Sequence, residues 1–357
     1  MLSGESLTEF RAQTWHKKPA VFRSAIDVSG INLSTEAICR ATNNDLVESR
    51  MINNQDFSLA FGPFDFVYET SSSALLPDHQ MLLVQCIEQI FPSIDQLLKT
   101  HFAFLPRWQI DDVMASVGYA GATCGAHFDH YDVFLFQFRG TKQWTLDSGQ
   151  HTDKDLRDDV DIRLLRQFND VERHTLYPGD VLYLPPGVGH CGVCGDGDGD
   201  GAEDSVTLSV GVRNPNIVEF ITDLSEFLLQ DTSDTEALVH DLFEFDSGIP
   251  AGAMQTMTAR VRALFTDQAS LANCYGCYVT RLREPDWVTP LIEDYTNDTI
   301  APLARNKQRL IVSLPSRLCF DGNTNQCNLY ANGEMFELPG NLLPHVKALV
   351  LAREIQL

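Results

Sequence analysis

The chain has 357 residues and a formal net charge of −23, with 26 Lys and Arg against 49 Asp and Glu. With 44% hydrophobic and 10% aromatic residues it can fill more than one core, which excludes global disorder and predicts two or three domains. So acidic a surface repels nucleic-acid phosphates and anionic lipid and attracts basic polypeptides, so no direct nucleic-acid or membrane binding is expected.

The segment Met1 to Pro19 lacks the apolar stretch of a secretory signal, and no later run approaches the ~20 apolar residues of a membrane span. A cytoplasmic protein is expected. Phe10 to Lys18 predicts a helix leading into an extended stretch, Pro19 to Phe22. Gln80 to Leu98 places Leu83, Ile87, Ile90, Ile94, Leu97 and Leu98 at helical spacing, with a break at Pro92. From about Trp108 to Arg213 short β-rich runs alternate with Gly, Pro and Asp turns: Val113–Tyr119, Val133–Phe138, Gln143–Leu146, Val181–Leu184 and Val206–Val212. Strands at that spacing predict a sandwich or barrel. Between two of them lies an acidic run, 195–204. Its Asp196, Asp198, Asp200 and Gly201 imitate the start of a calcium loop, but Thr207 stands where the closing Glu is needed, so a solvated turn is expected.

After Pro215 helical patterns follow at Ile217–Leu229, Thr235–Phe245 and Ala251–Phe265. Gln326 to Leu338 alternates around Ala331-Asn332-Gly333, a hairpin signal, and Leu343 to Leu351 closes the chain as a helix. The expected division is therefore 1–215, 216–300 and 301–357. Nine scattered cysteines are expected to be reduced thiols. The pairs Cys191/Cys194 and Cys274/Cys277 would make a zinc site only if they met in space, and nothing in the sequence brings them together.

Two motifs carry chemistry. In Gly-Ala-His127-Phe-Asp129, residues two apart on a strand project from one face, so imidazole and carboxylate can reach one point. In Pro178-Gly-Asp-Val-Leu-Tyr-Leu-Pro-Pro-Gly-Val-Gly-His190, two turns flank an apolar strand and deliver His190 to the start of the next. Two His and one carboxylate suit a first-row divalent metal and match the facial triad of non-haem iron(II) oxygenases, with positions open for a bidentate oxoacid and O2. A dianionic cosubstrate also needs a cation at its far end. Lys142, after the Gly140 turn and alternating with Trp144, can point inward.

The stretch from Ile110 to Arg213 resembles the JmjC-type ribosomal oxygenases, and within them the bacterial branch that hydroxylates an arginine of large-subunit ribosomal protein sixteen. The resemblance rests on Ile-Asp-Asp-Val-Met (110–114), His-Phe-Asp-His-Tyr-Asp-Val-Phe (127–134), Gly-Asp-Val-Leu-Tyr-Leu-Pro-Pro-Gly (179–187) and Leu-Ser-Val-Gly-Val-Arg-Asn-Pro-Asn (208–216). Trp-His-Lys-Lys-Pro (15–19), Phe-Gly-Pro-Phe (61–64) and Tyr-Ala-Asn-Gly-Glu (330–334) extend it towards both ends. It implies an α+β protein with a double-stranded β-helix core, a helical dimerisation region and a winged-helix-like C-terminal domain. It also implies iron(II) on His127, Asp129 and His190, and 2-oxoglutarate anchored by Lys142 with help from Ser116 and Thr207. Lys142 departs from the Arg that bacterial members often carry there. Ser209 falls on the substrate side, and Asp132 is a candidate carboxylate for a substrate guanidinium. The implied reaction consumes O2 and 2-oxoglutarate, releases succinate and CO2, and hydroxylates a basic ribosomal protein. Hydroxylation of a His or Asn, lysine demethylation, and a non-enzymatic metal-binding cupin or ribosome-assembly module are the alternatives.

Overall fold

The computed structural model of the chain describes residues 4–66, 76–195, 204–230, 251–282, 305–306, 309–323 and 325–356. In the first of two units, Met1–Asn214, α1 (Gly4–Gln13) leads into β1 (Ala20–Phe22) and α2 (Thr35–Ala41). Next come β2 (Ser49–Asn53), β3 (Leu59–Phe61), β4 (Gln80–Val84) and α3 (Pro92–His101). The strands that follow are β5 (Ile110–Gly118), β6 (Asp132–Arg139), β7 (Lys142–Gln150), β8 (Glu172–Leu176), β9 (Val181–Leu184), β10 (Val188–Cys194) and β11 (Ser205–Val212). They form an eight-stranded sheet in the order β1-β9-β6-β11-β5-β4-β2-β3 and a three-stranded sheet in the order β10-β7-β8. This is the expected α+β double-stranded β-helix.

The two-residue period of the strands sorts the core. On β6, Phe134, Phe136 and Phe138 pack with Ile94, Leu97 and Leu98 of α3, while Val133 and Leu135 turn the other way towards Trp144, Leu146 and Leu176. Both faces of this strand are buried, so its sequence is apolar almost throughout rather than alternating. On β11, Val206, Leu208, Val210 and Val212 belong to the outer core. Thr207 and Ser209 therefore face the lumen between the sheets.

The helix expected over Gln80–Leu98 is a correction. Gln80–Val84 is a strand, paired with β2 on one side and β5 on the other, and the helix begins at Pro92. Met-Leu-Leu-Val is an apolar run buried between two neighbours, which spacing alone does not distinguish from a helix face. Pro92 starts the helix instead of breaking it, because a first-turn residue has no intrahelical bond for its missing N–H to make. The N-terminal helix also stops at Gln13, short of the expected Lys18.

In the second unit, Pro215–Leu357, the helices are α4 (Ile217–Gln230), α5 (Ala251–Leu264) and α6 (Gln268–Thr280). The remaining elements are β12 (Arg309–Ile311), β13 (Leu318–Gly322), β14 (Gln326–Ala331), β15 (Glu334–Pro339), α7 (Leu343–Ala352) and β16 (Glu354–Gln356). Strands β13-β14-β15 form one sheet, and β12 pairs β16. Asn332 and Gly333 turn the hairpin with φ of 53° and 90°, the left-handed pair that a two-residue turn requires. The expected helix 235–245 and the acidic run 196–203 lie outside the described residues. None of the described helices is long and apolar enough to cross a membrane.

Candidate metal centre

His127 and His190 face each other across an antiparallel bridge in which each backbone N–H donates to the other's carbonyl, at 3.0 and 2.8 Å. Their rings lie 4.3 Å apart. The Nδ1 of His127 is 2.9 Å from the carbonyl of Gly125, and that of His190 is 3.0 Å from the carbonyl of Val188. A carbonyl only accepts, so each Nδ1 carries the proton and each Nε2 presents a lone pair. Asp129 brings Oδ2 to 3.6 Å from Nε2 of His190. Ligand atoms of the three residues all lie within 4.8 Å of one another, and among the described residues no other group of three metal-ligating side chains comes together in this way. Burial and then the neighbouring His127 push the pKa of His190 down to about 4, so the imidazole is neutral near pH 7, as a metal ligand must be. The set fits iron(II) on the chemistry of its donors.

Lys142 opens β7, where Gly140 turns the chain with φ of 57°. Its side chain is only 3% exposed and lies in the lumen beside the Trp144 ring, 4.9 Å from the ring centre. Nζ donates to Ser116 Oγ at 3.2 Å, and among the described residues it has no carboxylate partner. Gly192 makes room for it, since a Cβ there would sit 2.8 Å from Lys142 Cε and from the Trp144 ring. The buried Nε1 of Trp144 also lacks a hydrogen-bond partner among the described residues. A buried ammonium and a buried orphan N–H on one wall suit an anionic ligand.

Residues 97–220 match the family model of the JmjC domain. The chain carries a JmjC domain. Its described parts hold all three candidate metal ligands and Lys142. The chain is 28% identical over 256 residues to a probable ribosomal oxygenase of Haemophilus influenzae, a match that spans 71% of this chain and 59% of that protein. It is 26% identical over 349 residues to the ribosomal protein uL16 3-hydroxylase of Escherichia coli, across 93% of this chain and 85% of that protein. The crystal structure of the E. coli ribosomal oxygenase YcfD covers 100% of this chain and 91% of its own at a TM-score of 0.79 and 24% identity, a likeness of fold. A second YcfD structure, also at a TM-score of 0.79 and 24% identity, is a complex with cobalt and 2-oxoglutarate.

Within the JmjC domain the other candidate residues separate. Ser116 stands opposite Thr207 in the β5–β11 register and holds Lys142. Thr207 donates its hydroxyl proton to Gln137 Oε1 at 2.8 Å, so it acts through Gln137 and offers a ligand no donor of its own. Ser209 lies one pleat further along the same face, opposite Met114. Asp132 is a correction. Its carboxylate is buried behind β6, paired with His16 Nδ1 at 2.8 Å and accepting the Tyr183 hydroxyl, on the face away from the lumen. Burial raises its pKa, against the lowering pull of Tyr183 and His16. It ties the N-terminal segment to the barrel and is not placed to meet a substrate guanidinium. Cys191 and Cys194 are free thiols three apart on β10, hence on opposite faces.

Sequence reasoning missed two lumen residues. Gln137, fully buried, donates to the Arg139 carbonyl at 2.7 Å and to Ser205 Oγ at 3.0 Å, which fixes the floor beneath Thr207. Asp112 is a buried carboxylate close to Gly211, where an added Cβ would come within 3.0 Å of its Oδ1 and 3.5 Å of the Tyr131 ring. A Gln inside an apolar strand, and a second Asp entering a strand, were the available signals.

Proposed function

We propose that the chain is an iron(II)- and 2-oxoglutarate-dependent protein hydroxylase whose substrate is a basic ribosomal protein, specifically an arginine of uL16 hydroxylated at its third carbon. The observation that carries the reading is the buried ammonium of Lys142, which has no carboxylate partner among the described residues, on the wall of the barrel that bears the two-His, one-carboxylate set. That combination needs a metal at one end and an anion at the other.

When bound, iron and 2-oxoglutarate supply O2 activation coupled to oxidative decarboxylation, yielding succinate and CO2. The chain supplies position and dryness. His127, Asp129 and His190 hold the metal and leave further positions for the cosubstrate and O2. Lys142, set by Ser116, takes the distal carboxylate, and Thr207 with Gln137 keeps that end of the barrel closed. Ser209 lies on the substrate side of the same wall. The names of the H. influenzae and E. coli relatives support this class of substrate, and the net charge of −23 suits a basic polypeptide. A homodimer through the helices of 216–300 and a cytoplasmic location belong to the same proposal.

The test is incubation of the purified chain with iron(II), ascorbate, 2-oxoglutarate and uL16, followed by mass spectrometry of peptides. One added oxygen on an arginine is expected. Oxygen on a histidine or asparagine would move the target residue, and none on any ribosomal protein would overturn the substrate class. Modification should slow as salt rises, through apparent affinity, because the Debye length shrinks from ~10 Å at 0.1 M to ~3 Å at 1 M.

A further inference from the structure

In the second unit, β15 pairs with β14 along one side, and among the described residues no strand lies on its other side. The two-residue turn makes Ala331 and Glu334 a hydrogen-bonded pair. By alternation Glu334, Phe336 and Leu338 bond to β14, while Met335 and Glu337 turn their backbone N–H and C=O outward. Phe336 is 45% exposed and Met335 39%. An open edge with apolar side chains is a template for another strand unless something blunts it. Here the charges are Glu334 and Glu337. They oppose pairing with the same strand of a second copy, which would set like charges side by side, and they favour a cationic strand.

A cavity of about 430 Å3 opens at the start of the same strand, lined by Glu226, Phe227, Cys274, Tyr278, Glu334 and Met335. Asp223 and Arg281 are also on its wall and pair with each other at 2.9 Å, so their charges offset one another. Among the described residues Glu226 and Glu334 make no ion pair. Burial pushes the Cys274 thiol up to about 11, so it adds no charge. Two carboxylates at the end of a partly apolar recess match a long side chain with an aliphatic stem and a cationic head.

We propose that the β15 edge takes an extended basic polypeptide segment as an added strand, with one Lys or Arg side chain of that segment in the cavity between Glu226 and Glu334. Backbone bonds at Met335 and Glu337 supply affinity, and the cavity selects the cation. The proposal is independent of the chemistry at the metal centre, and its test reads binding alone.

The probe is a short fluorescent peptide of alternating Arg and Thr, titrated by anisotropy against the full chain. Its counterpart with Glu in place of Arg is the control. The basic peptide should bind and the acidic one should not. The double variant Glu226→Gln, Glu334→Gln should weaken binding about tenfold, equivalent to about 1.4 kcal/mol. Met335→Pro removes one outward N–H and no bond to β14, and should weaken binding to a similar degree with an unchanged circular dichroism spectrum. Equal affinity of both variants and wild type, or no binding by wild type, overturns the site. A loss of protein self-association caused by Met335→Pro, read by light scattering, would assign the edge to a second copy and also overturn it.

Discussion

A buried ammonium held by one serine hydroxyl is poorly stabilised until an anion reaches it. Replacing Lys142 by Met should therefore raise the stability of the ligand-free protein by ~1 kcal/mol or more, because desolvation of the charge is no longer required. The same change should cost ~3 kcal/mol of cosubstrate binding, about 100-fold in affinity. Urea denaturation without ligand and a 2-oxoglutarate titration with a redox-inert divalent metal read the two effects, and an unaltered titration would remove Lys142 from the role. His190 gives a pH signature. Its pKa falls from 6.5 in the unfolded chain to about 4 in the fold, so the unfolded state binds the extra proton first. Stability is intact above pH 6.5 and declines as pH drops from there to about 4, by about 3 kcal/mol in total. Metal-free His190→Gln should show a flatter decline in the same urea series, and a parallel decline would assign the effect to other groups.

Strand β10 serves the site twice, carrying His190 and, two residues on, the gap at Gly192. Gly192→Ala should leave the fold in place but push Lys142 and Trp144 aside, at a cost of about 1–3 kcal/mol in thermal stability. It should also weaken 2-oxoglutarate binding, and unchanged values on both counts would show that the wall yields freely. The elements that the sequence makes legible are those whose pattern has one interpretation. Val181–Leu184 is an all-apolar run between two turns, and the Asn332-Gly333 hairpin needs residues that tolerate positive φ. The pair His127 and Asp129, with His190 after the second turn, was legible from its spacing, but not for the reason of strand alternation. His127 lies in an isolated bridge opposite His190, and Asp129 in the loop that leads to β6. Gln80–Val84 was not legible, because an apolar run buried on both faces carries no period of its own. Asp132 was misplaced for a related reason. Its face depends on the offset at which β6 begins, and that offset is set by the 127–131 loop, which has no repeat to count.

At the scale of the whole chain, α4 leaves Ile217, Val218, Ile221 and Leu229 exposed, Leu229 at 76%, and α5 leaves Met254 and Val261 exposed. Apolar side chains on two helices of an otherwise acidic protein call for a covering surface, which the proposed two-fold partner would supply. Light scattering should give a dimer of the 39.9 kDa chain at micromolar concentration. Ile221→Asp with Leu229→Glu should return it to monomer without loss of helix content. A wild-type monomer would leave these side chains unexplained by self-association.

The short strand β1 has a consequence for how the protein survives synthesis and handling. It covers the outer side of β9, whose four residues are all buried, through pairing of Ala20, Val21 and Phe22 with Tyr183, Leu182 and Val181. His16, just before it, closes on Asp132 and Tyr183. A chain begun after Phe22 would keep every metal ligand yet present Val-Leu-Tyr-Leu as a bare apolar border. Such a border recruits strands from neighbouring molecules, so shortening the chain at this end would be felt first as aggregation during expression, ahead of any defect in chemistry.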